Sequence, residues 1–167
     1  MKVFISHSMK DKNLLDALKS ICASTGVTPL IAEHSIDFRH TITEKIERMI
    51  DEADQVLVVL TKDGFDSTFV QQEIGYAKKA KKPLLPIVEE GLQDRVSGFL
   101  YGREFIIINP MNLEPAFERI KAVLMGEKKQ TDQIAAVAKQ QEDARESFAK
   151  FILLVVALIF LGGLAKS

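Results

Sequence analysis

The sequence predicts an α/β fold built on a mostly parallel, five-stranded sheet. Short apolar runs typical of strands alternate with segments whose apolar residues recur every three to four positions, and this alternation is typical of a sheet covered by helices. The run at residues 56–60 is apolar throughout, which indicates a central strand with helices on both faces. We predict strands at residues 3–5, 30–32, 56–60, 84–88 and 105–108.

The segments between these runs carry signals for helix starts and for the sheet edge. Ser8 with Asp11, and Thr41 with Glu44, each place a hydroxyl three residues before a carboxylate, which predicts capping boxes for the first two long helices. Pro29 opens the second strand and lacks a backbone donor, so that strand is expected at an edge.

An edge position for strand two and central positions for strands one and three give the order 2-1-3-4-5 of flavodoxin-like sheets. Ligands of such folds bind beyond the carboxyl ends of strands one and three. This rim comprises Ser6, His7 and Ser8, then residues 33–40 and 62–68, and finally the start of the next helix.

That helix, predicted at residues 69–81, carries the candidate catalytic residue Glu73. Val70, Ile74 and Ala77 have the spacing of a buried helix face. A neighbouring stripe consists of Phe69, Glu73 and Tyr76. Two aromatic rings beside a carboxylate suit a cationic, aromatic ligand that carries a sugar, although a partly exposed surface glutamate would show the same spacing.

The fifth helix is predicted at residues 113–125 with Gly126 as its stop, so the folded domain is assigned to residues 1–126. Residues 127–150 are rich in Lys, Gln, Glu and Ala, which favours a charged helical stalk or linker. Its apolar positions recur every 3.5 residues on average but span barely two heptads. A self-associating coiled coil and a single amphipathic spacer therefore both remain open.

Residues 151–165 form an uninterrupted apolar stretch that is predicted to be a transmembrane helix. It has about 15 residues, or about 22 Å of helix, which is short against a hydrocarbon core of about 30 Å. Lys150 and Lys166 flank the stretch and would reach the two interfaces. We expect a single-pass C-terminal anchor in the lipid bilayer with the folded domain in the cytoplasm. A buried helix within an oligomer is the alternative.

Composition excludes several other classes of function. With 22 basic and 23 acidic residues and a formal net charge of −1, nothing favours nucleic acid as a partner. The single cysteine, Cys22, lies on an apolar helix stripe and is interpreted as a core residue. His7, His34 and His40 do not form a metal-ligand spacing with it, so no metal site is predicted.

Taken in order, several segments resemble the Toll/interleukin-1 receptor (TIR) domain family in its short prokaryotic form, over about residues 2–124. The sequence VFISHS at residues 3–8 with Asp11 resembles the family's first strand and loop. FVQQEIGYA at residues 69–77, followed by Lys82-Pro83 and Pro86-Ile87, is similar to bacterial members. The family usually has Trp where this chain has Phe69, and Gly in the loop where this chain has residues 37–40.

This resemblance implies that Glu73 is the catalytic glutamate of an NAD⁺ nucleosidase, with NAD⁺ as substrate rather than as a cofactor. The nicotinamide leaving group is already cationic, so a lone carboxylate that stabilises a developing oxocarbenium ion is sufficient. Phe69 would contact the nicotinamide or ribose, and Tyr76 lies on the same stripe. Ser6, His7, Ser8 and Arg39 would line the ribose or phosphates, although Ser8 as a helix cap and Arg39 as a solvated loop residue are the alternatives.

The resemblance leaves three functions open. The leading one is an NAD⁺-cleaving signalling or antiphage effector activated by clustering, with self-association through TIR domains and the stalk. It would release nicotinamide together with ADP-ribose or a cyclic derivative. The second is a non-catalytic adaptor that acts through contacts between TIR domains, and the third is a nucleoside deoxyribosyltransferase-like enzyme.

Overall fold

The computed structural model describes residues 1–32, 42–96 and 98–164, with only the backbone given for residue 99 and residues 155–164. The chain divides into two compact units, Met1–Lys128 and Lys129–Ser167. Arg39, Thr41, His34 and His40 lie outside the described residues, so the predictions made for them stay predictions.

The first unit contains a parallel sheet of five strands in the order β2-β1-β3-β4-β5, which confirms the predicted order 2-1-3-4-5 and the flavodoxin-like arrangement. The strands are β1 (Lys2–Ser6), β2 (Thr28–Leu30), β3 (Gln55–Leu60), β4 (Leu84–Glu89) and β5 (Ile106–Ile108). The helices are α1 (Lys12–Thr25), α2 (Ile42–Glu52), α3 (Lys62–Phe65), α4 (Thr68–Lys79) and α5 (Glu114–Leu164), with short 3-10 turns at Gln93–Arg95 and Gly98–Leu100.

Alternate residues of the central strands point into two separate cores, as a sheet covered on both faces requires. Leu57 and Val59 of β3 pack with α1 and α5, where Leu18, Cys22, Ile120 and Leu124 are fully buried. Val56, Val58 and Leu60 pack with α2 and α4, where Ile50, Val70 and Ala77 are fully buried. The prediction that Cys22 is a core residue is confirmed.

The edge position of β2 is confirmed, but the strand lies earlier than predicted, at Thr28–Leu30 rather than at residues 30–32. The left-handed Gly26, at φ 65°, ends α1 and turns the chain directly into β2. Pro29 faces Val3 on β1, and the absence of its N–H is tolerated because β2 is an edge strand.

The predicted capping box at Ser8 and Asp11 is wrong. The N–H of Asp11 donates to the Ser8 carbonyl at 2.9 Å, which closes a turn before α1 begins at Lys12. The Asp11 side chain makes no capping hydrogen bond. Its two carboxylate oxygens instead accept from the Thr61 hydroxyl, each at 3.0 Å, so tertiary contact takes the place of the local cap.

The predicted helix stop at Gly126 is also wrong, because α5 continues without interruption from Glu114 to Leu164. A glycine inside an exposed helix costs only about 1 kcal/mol relative to alanine. The residues that follow it favour helix, and their propensity exceeds that local cost.

The predicted membrane localisation is wrong. Within the part of the chain that the structure describes, no helix has the length and apolar character needed to cross a membrane. The apolar run at residues 151–165 would span about 22 Å, which falls short of a bilayer core of about 30 Å. Lys150 and the charged segment at residues 142–146 precede this run in α5, so the apolar stretch does not extend towards the N-terminus. The lipid bilayer therefore has no support as a partner.

Candidate functional site

Glu73 is a buried carboxylate at the carboxyl end of the sheet. The residue is 8% exposed, and its Oε2 accepts a hydrogen bond of 2.5 Å from the hydroxyl of Ser6. Ser6 is the last residue of β1 and is fully buried. The predicted rim residue of the first strand and the predicted catalytic residue of α4 are therefore in direct contact.

The turn after β3 determines where α4 begins and which face it presents. A β-carbon at Gly64 would collide with the carbonyl oxygen of Val59, so only glycine allows α3 to pack this closely on the end of β3. Ser67 then caps α4 by accepting the N–H of Val70 at 3.3 Å. With α4 fixed in this way, Val70, Ile74 and Ala77 fill the core and Glu73 lies beside them, facing Ser6.

Burial is the main influence on the ionisation of Glu73. Removal from water raises the pKa of Glu73 to about 7, and the hydrogen bond from Ser6 opposes this rise by stabilising the charged form. A carboxyl group with a pKa near 7 is present in both protonation states at neutral pH. Such a group can act as an anion towards a developing positive charge.

Glu73 and Phe69 both line two cavities of the first unit. One cavity, of about 220 Å³, lies on the α1 side and is also lined by His7, Lys12 and Lys19. The other, of about 430 Å³, lies between α2 and α4 and is also lined by Glu47, Gln72, Tyr76 and Lys79. Phe69 is 50% exposed, so the residue is partly open to solvent beside these cavities.

The remaining predicted site residues are placed as follows. Nδ1 of His7 lies 3.1 Å from the Ile5 carbonyl oxygen, which favours a proton on that nitrogen. The Tyr76 hydroxyl donates to Asp51 at 3.0 Å. This bond raises the pKa of Tyr76. Ser8 is buried, and its hydroxyl accepts the N–H of Lys10 at 3.3 Å, away from Glu73.

Sequence reasoning missed Lys12 and Lys19, which line the smaller cavity together with Glu73. Their spacing of seven residues on α1 was the available signal, because residues seven apart lie on one face of a helix. Because they are only two of 22 basic residues, however, their presence on one helix is not by itself a signal for a site. The strand order brings this helix face to the same rim as α4.

A parallel α/β sheet of this order, with a cavity beyond the carboxyl ends of β1 and β2 and beside α4, is typical of α/β domains that bind ligands at this edge of the sheet. The family model described as the TIR domain matches residues 3–124. The chain therefore belongs to the TIR domain family, which confirms the predicted resemblance at that level. The short prokaryotic form stays a prediction.

Solved structures with the same fold include three with low sequence identity. The TIR domain of a Toll-related receptor from Hydra magnipapillata has TM-score 0.58 and 17% identity, covering 70% of this chain and 91% of that one. A Clostridium botulinum CMP N-glycosidase has TM-score 0.56 and 18% identity, covering 74% and 99%. A prokaryotic SEFIR domain has TM-score 0.56 and 19% identity, covering 74% and 97%. No curated protein matches the chain.

Proposed function

We propose that this TIR domain cleaves NAD⁺ at the bond between nicotinamide and ribose, with Glu73 as the catalytic carboxylate. The observation that carries the proposal is the place of Glu73, buried against Ser6 and yet lining both cavities at the rim of the sheet. The family includes NAD⁺-cleaving members, and membership is consistent with such a role.

The proposed reaction breaks the bond between C1′ of the ribose and the pyridinium nitrogen. The electron pair of that bond moves to the nitrogen, so nicotinamide leaves as a neutral molecule without a general acid. Positive charge develops on the ribose, and an ionised Glu73 at that position would stabilise it. Water then bonds to C1′ and releases a proton, which gives ADP-ribose. Attack by a nitrogen of the adenine ring instead would give a cyclic product.

Phe69 and Ser6 have supporting roles in this proposal. Phe69 lies one helical turn before Glu73 and is half exposed, so its ring can contact the nicotinamide or ribose. Ser6 donates a hydrogen bond to the ionised carboxylate and holds it in one orientation. Arg39 remains a proposed phosphate contact that lies outside the described residues.

The test is release of nicotinamide from NAD⁺ by the full chain, with products separated by chromatography, for the wild type and for Glu73→Gln. The substitution keeps the size of the side chain but removes its charge, and we expect it to lower turnover at least about a hundredfold. Glu127→Gln is the matched control, because Glu127 is also a partly buried glutamate but contacts Gln55, which begins β3 at the opposite end of the sheet.

Turnover that is lost in Glu73→Gln and kept in Glu127→Gln would support the proposal. A wild type that releases no nicotinamide at any protein concentration, including those that favour self-association, would overturn it. CMP and nucleosides are tested in parallel, because a CMP N-glycosidase shares this fold. Release of a base from these compounds but not from NAD⁺ would assign a different N-glycosidic substrate and contradict the proposal.

A further inference from the structure

The α1 wall of the smaller cavity carries two lysines on one helix face. Lys12, Leu15 and Lys19 all line this cavity, and they stand three and seven residues apart on α1. At a rise of about 1.5 Å per residue, Lys12 and Lys19 are separated by about 10 Å along the helix. Lys12 opens α1, just beyond the end of β1, and is therefore the lysine nearer to the rim that holds Glu73.

The two ammonium groups differ in how far they are already neutralised. Lys19 pairs with Asp16 at 3.3 Å, and both side chains are partly exposed. Such a pair contributes little to stability, so another anion can take the place of Asp16. Lys12 is exposed, and its ammonium group has no ion pair or hydrogen bond with any residue the structure describes. Apart from the carboxylate of Glu73, the charged groups that line this cavity are therefore the two ammonium groups of α1.

The cavity between α2 and α4 has a different chemical character. Its lining includes the rings of Phe69 and Tyr76, the amide of Gln72 and the carboxylate of Glu47. Lys79 also lines this cavity, with its ammonium 5.9 Å from the centre of the Tyr76 ring, so the lining holds both an acidic and a basic side chain. Aromatic rings, an amide and a carboxylate suit a flat, cationic base that carries hydrogen-bonding groups.

We propose that the substrate lies across Glu73 in one direction, with its phosphate groups in the α1 cavity beside Lys12 and Lys19 and its leaving base in the cavity between α2 and α4. This rests on the proposed function. It adds that the substrate class is a nucleotide with phosphate on the ribose side of the scissile bond, so that a nucleoside lacking phosphate is a poor substrate. Lys12 supplies most of this preference because, among the residues that the structure describes, no carboxylate pairs with its charge.

Three substrates with the same leaving group test this orientation. NAD⁺ and nicotinamide mononucleotide carry phosphate on the ribose, whereas nicotinamide riboside does not. We expect Lys12→Gln to lower kcat/KM about tenfold for NAD⁺ and for the mononucleotide, mainly by raising KM, and to leave kcat/KM for the riboside unchanged. Lys19→Gln should have a smaller effect in the same direction, because Asp16 already pairs with Lys19.

Lys10→Gln is the matched control. Lys10 is two residues before Lys12, and its loss changes the net charge equally. Its ammonium group pairs with Asp63 at 2.8 Å, however, and the residue lines a different cavity. A similar loss of NAD⁺ turnover in Lys10→Gln, or an equal loss for the riboside in Lys12→Gln, would show a general charge effect and overturn the proposal.

Direct binding separates this proposal from the proposed function. Calorimetric titration of the full chain with ADP-ribose, which contains the phosphates but no scissile base, requires no catalysis. Binding that Lys12→Gln weakens about tenfold and Lys10→Gln leaves unchanged supports the phosphate site even if NAD⁺ is not cleaved. If the wild type cleaves NAD⁺ but Lys12→Gln binds ADP-ribose as tightly as the wild type, the phosphate site is overturned and the catalytic proposal stands.

Discussion

The two ends of the sheet each hold a shielded glutamate, and the two differ in what surrounds them. At the carboxyl end, Glu73 accepts from Ser6 and lines two cavities. At the amino end, Glu127 of α5 accepts from the amide of Gln55 at 2.9 Å. Burial is the main cause that raises the pKa of each carboxyl, but only for Glu73 is the shift large enough to bring the pKa to about 7.

The comparison shows that a raised pKa alone does not identify a site. Glu127 is half-buried and ties the first third of α5 to β3. There the side-chain oxygen of Gln55 is buried without a hydrogen-bond partner among the described residues. Glu73 combines deeper burial with access to space that a ligand can occupy. The second property is the one on which the catalytic role proposed for Glu73 depends.

The largest expected effect is on the pH dependence of NAD⁺ cleavage. If the ionised form of Glu73 is required, kcat/KM should be constant well above pH 7 and fall about tenfold per pH unit below its pKa of about 7. The loss at pH 5 would then be about a hundredfold. Initial rates of nicotinamide release at low NAD⁺ concentration measure this profile, and a rate that rises on acidification would show that the protonated form is the active one.

The next effect is on stability. The pKa of Glu73 is raised from 4.5 to about 7 on folding. The stability that the protonated side chain contributes is therefore fully present below pH 4.5 and is lost as the pH rises through 7. Glu73→Gln should therefore raise the free energy of unfolding at pH 8 by about 1–3 kcal/mol, and should have little effect near pH 4. Urea denaturation at both pH values tests this, and destabilisation at pH 8 would contradict the assigned cost of burial.

Ser6→Ala should produce a smaller change. The Ser6 hydroxyl stabilises the ionised carboxylate, so its removal should move the midpoint of the pH profile upward by up to about 1 unit. At pH 7 this corresponds to a loss of several-fold in kcat/KM. Ser8→Ala is the control for the midpoint, because the Ser8 hydroxyl contacts the N–H of Lys10 instead. An unchanged midpoint in Ser6→Ala would show that this hydrogen bond does not set the pKa.

The smallest effect is expected at the opposite end of the sheet. Glu127→Gln keeps an acceptor for the amide of Gln55 and adds a donor that can reach its unsatisfied oxygen. The free energy of unfolding at pH 8 should change by less than about 1 kcal/mol. The midpoint of the pH profile for NAD⁺ cleavage should not move to lower pH. A loss of more than about 2 kcal/mol in urea denaturation would show that the charge of Glu127 is itself required.

Structural elements that local periodicity determines were predicted well. The apolar run of β3 and the stripe of Val70, Ile74 and Ala77 gave a central strand and a buried helix face, and the structure confirms both. Errors arose where a local signal is outweighed, either by a longer-range contact or by the helix propensity of the flanking residues. Asp11 bonds to Thr61, 50 residues away, rather than capping α1, and Gly126 does not end a helix that both flanking segments favour.

The sequence by itself determined the two faces of the sheet and the helix on which Glu73 lies, because hydrophobic spacing of two and of 3.6 residues is a property of the local chain. It also indicated the strand order, because Pro29 marks an edge strand and the apolar run at residues 56–60 marks a central one. Only the tertiary structure decided that Glu73 is buried against Ser6, that Phe69 and Glu73 line two cavities, and that Lys12 faces one of them. These contacts join residues up to 67 positions apart, and they follow from the parallel pairing that brings the ends of β1 and β3 beside α1 and α4.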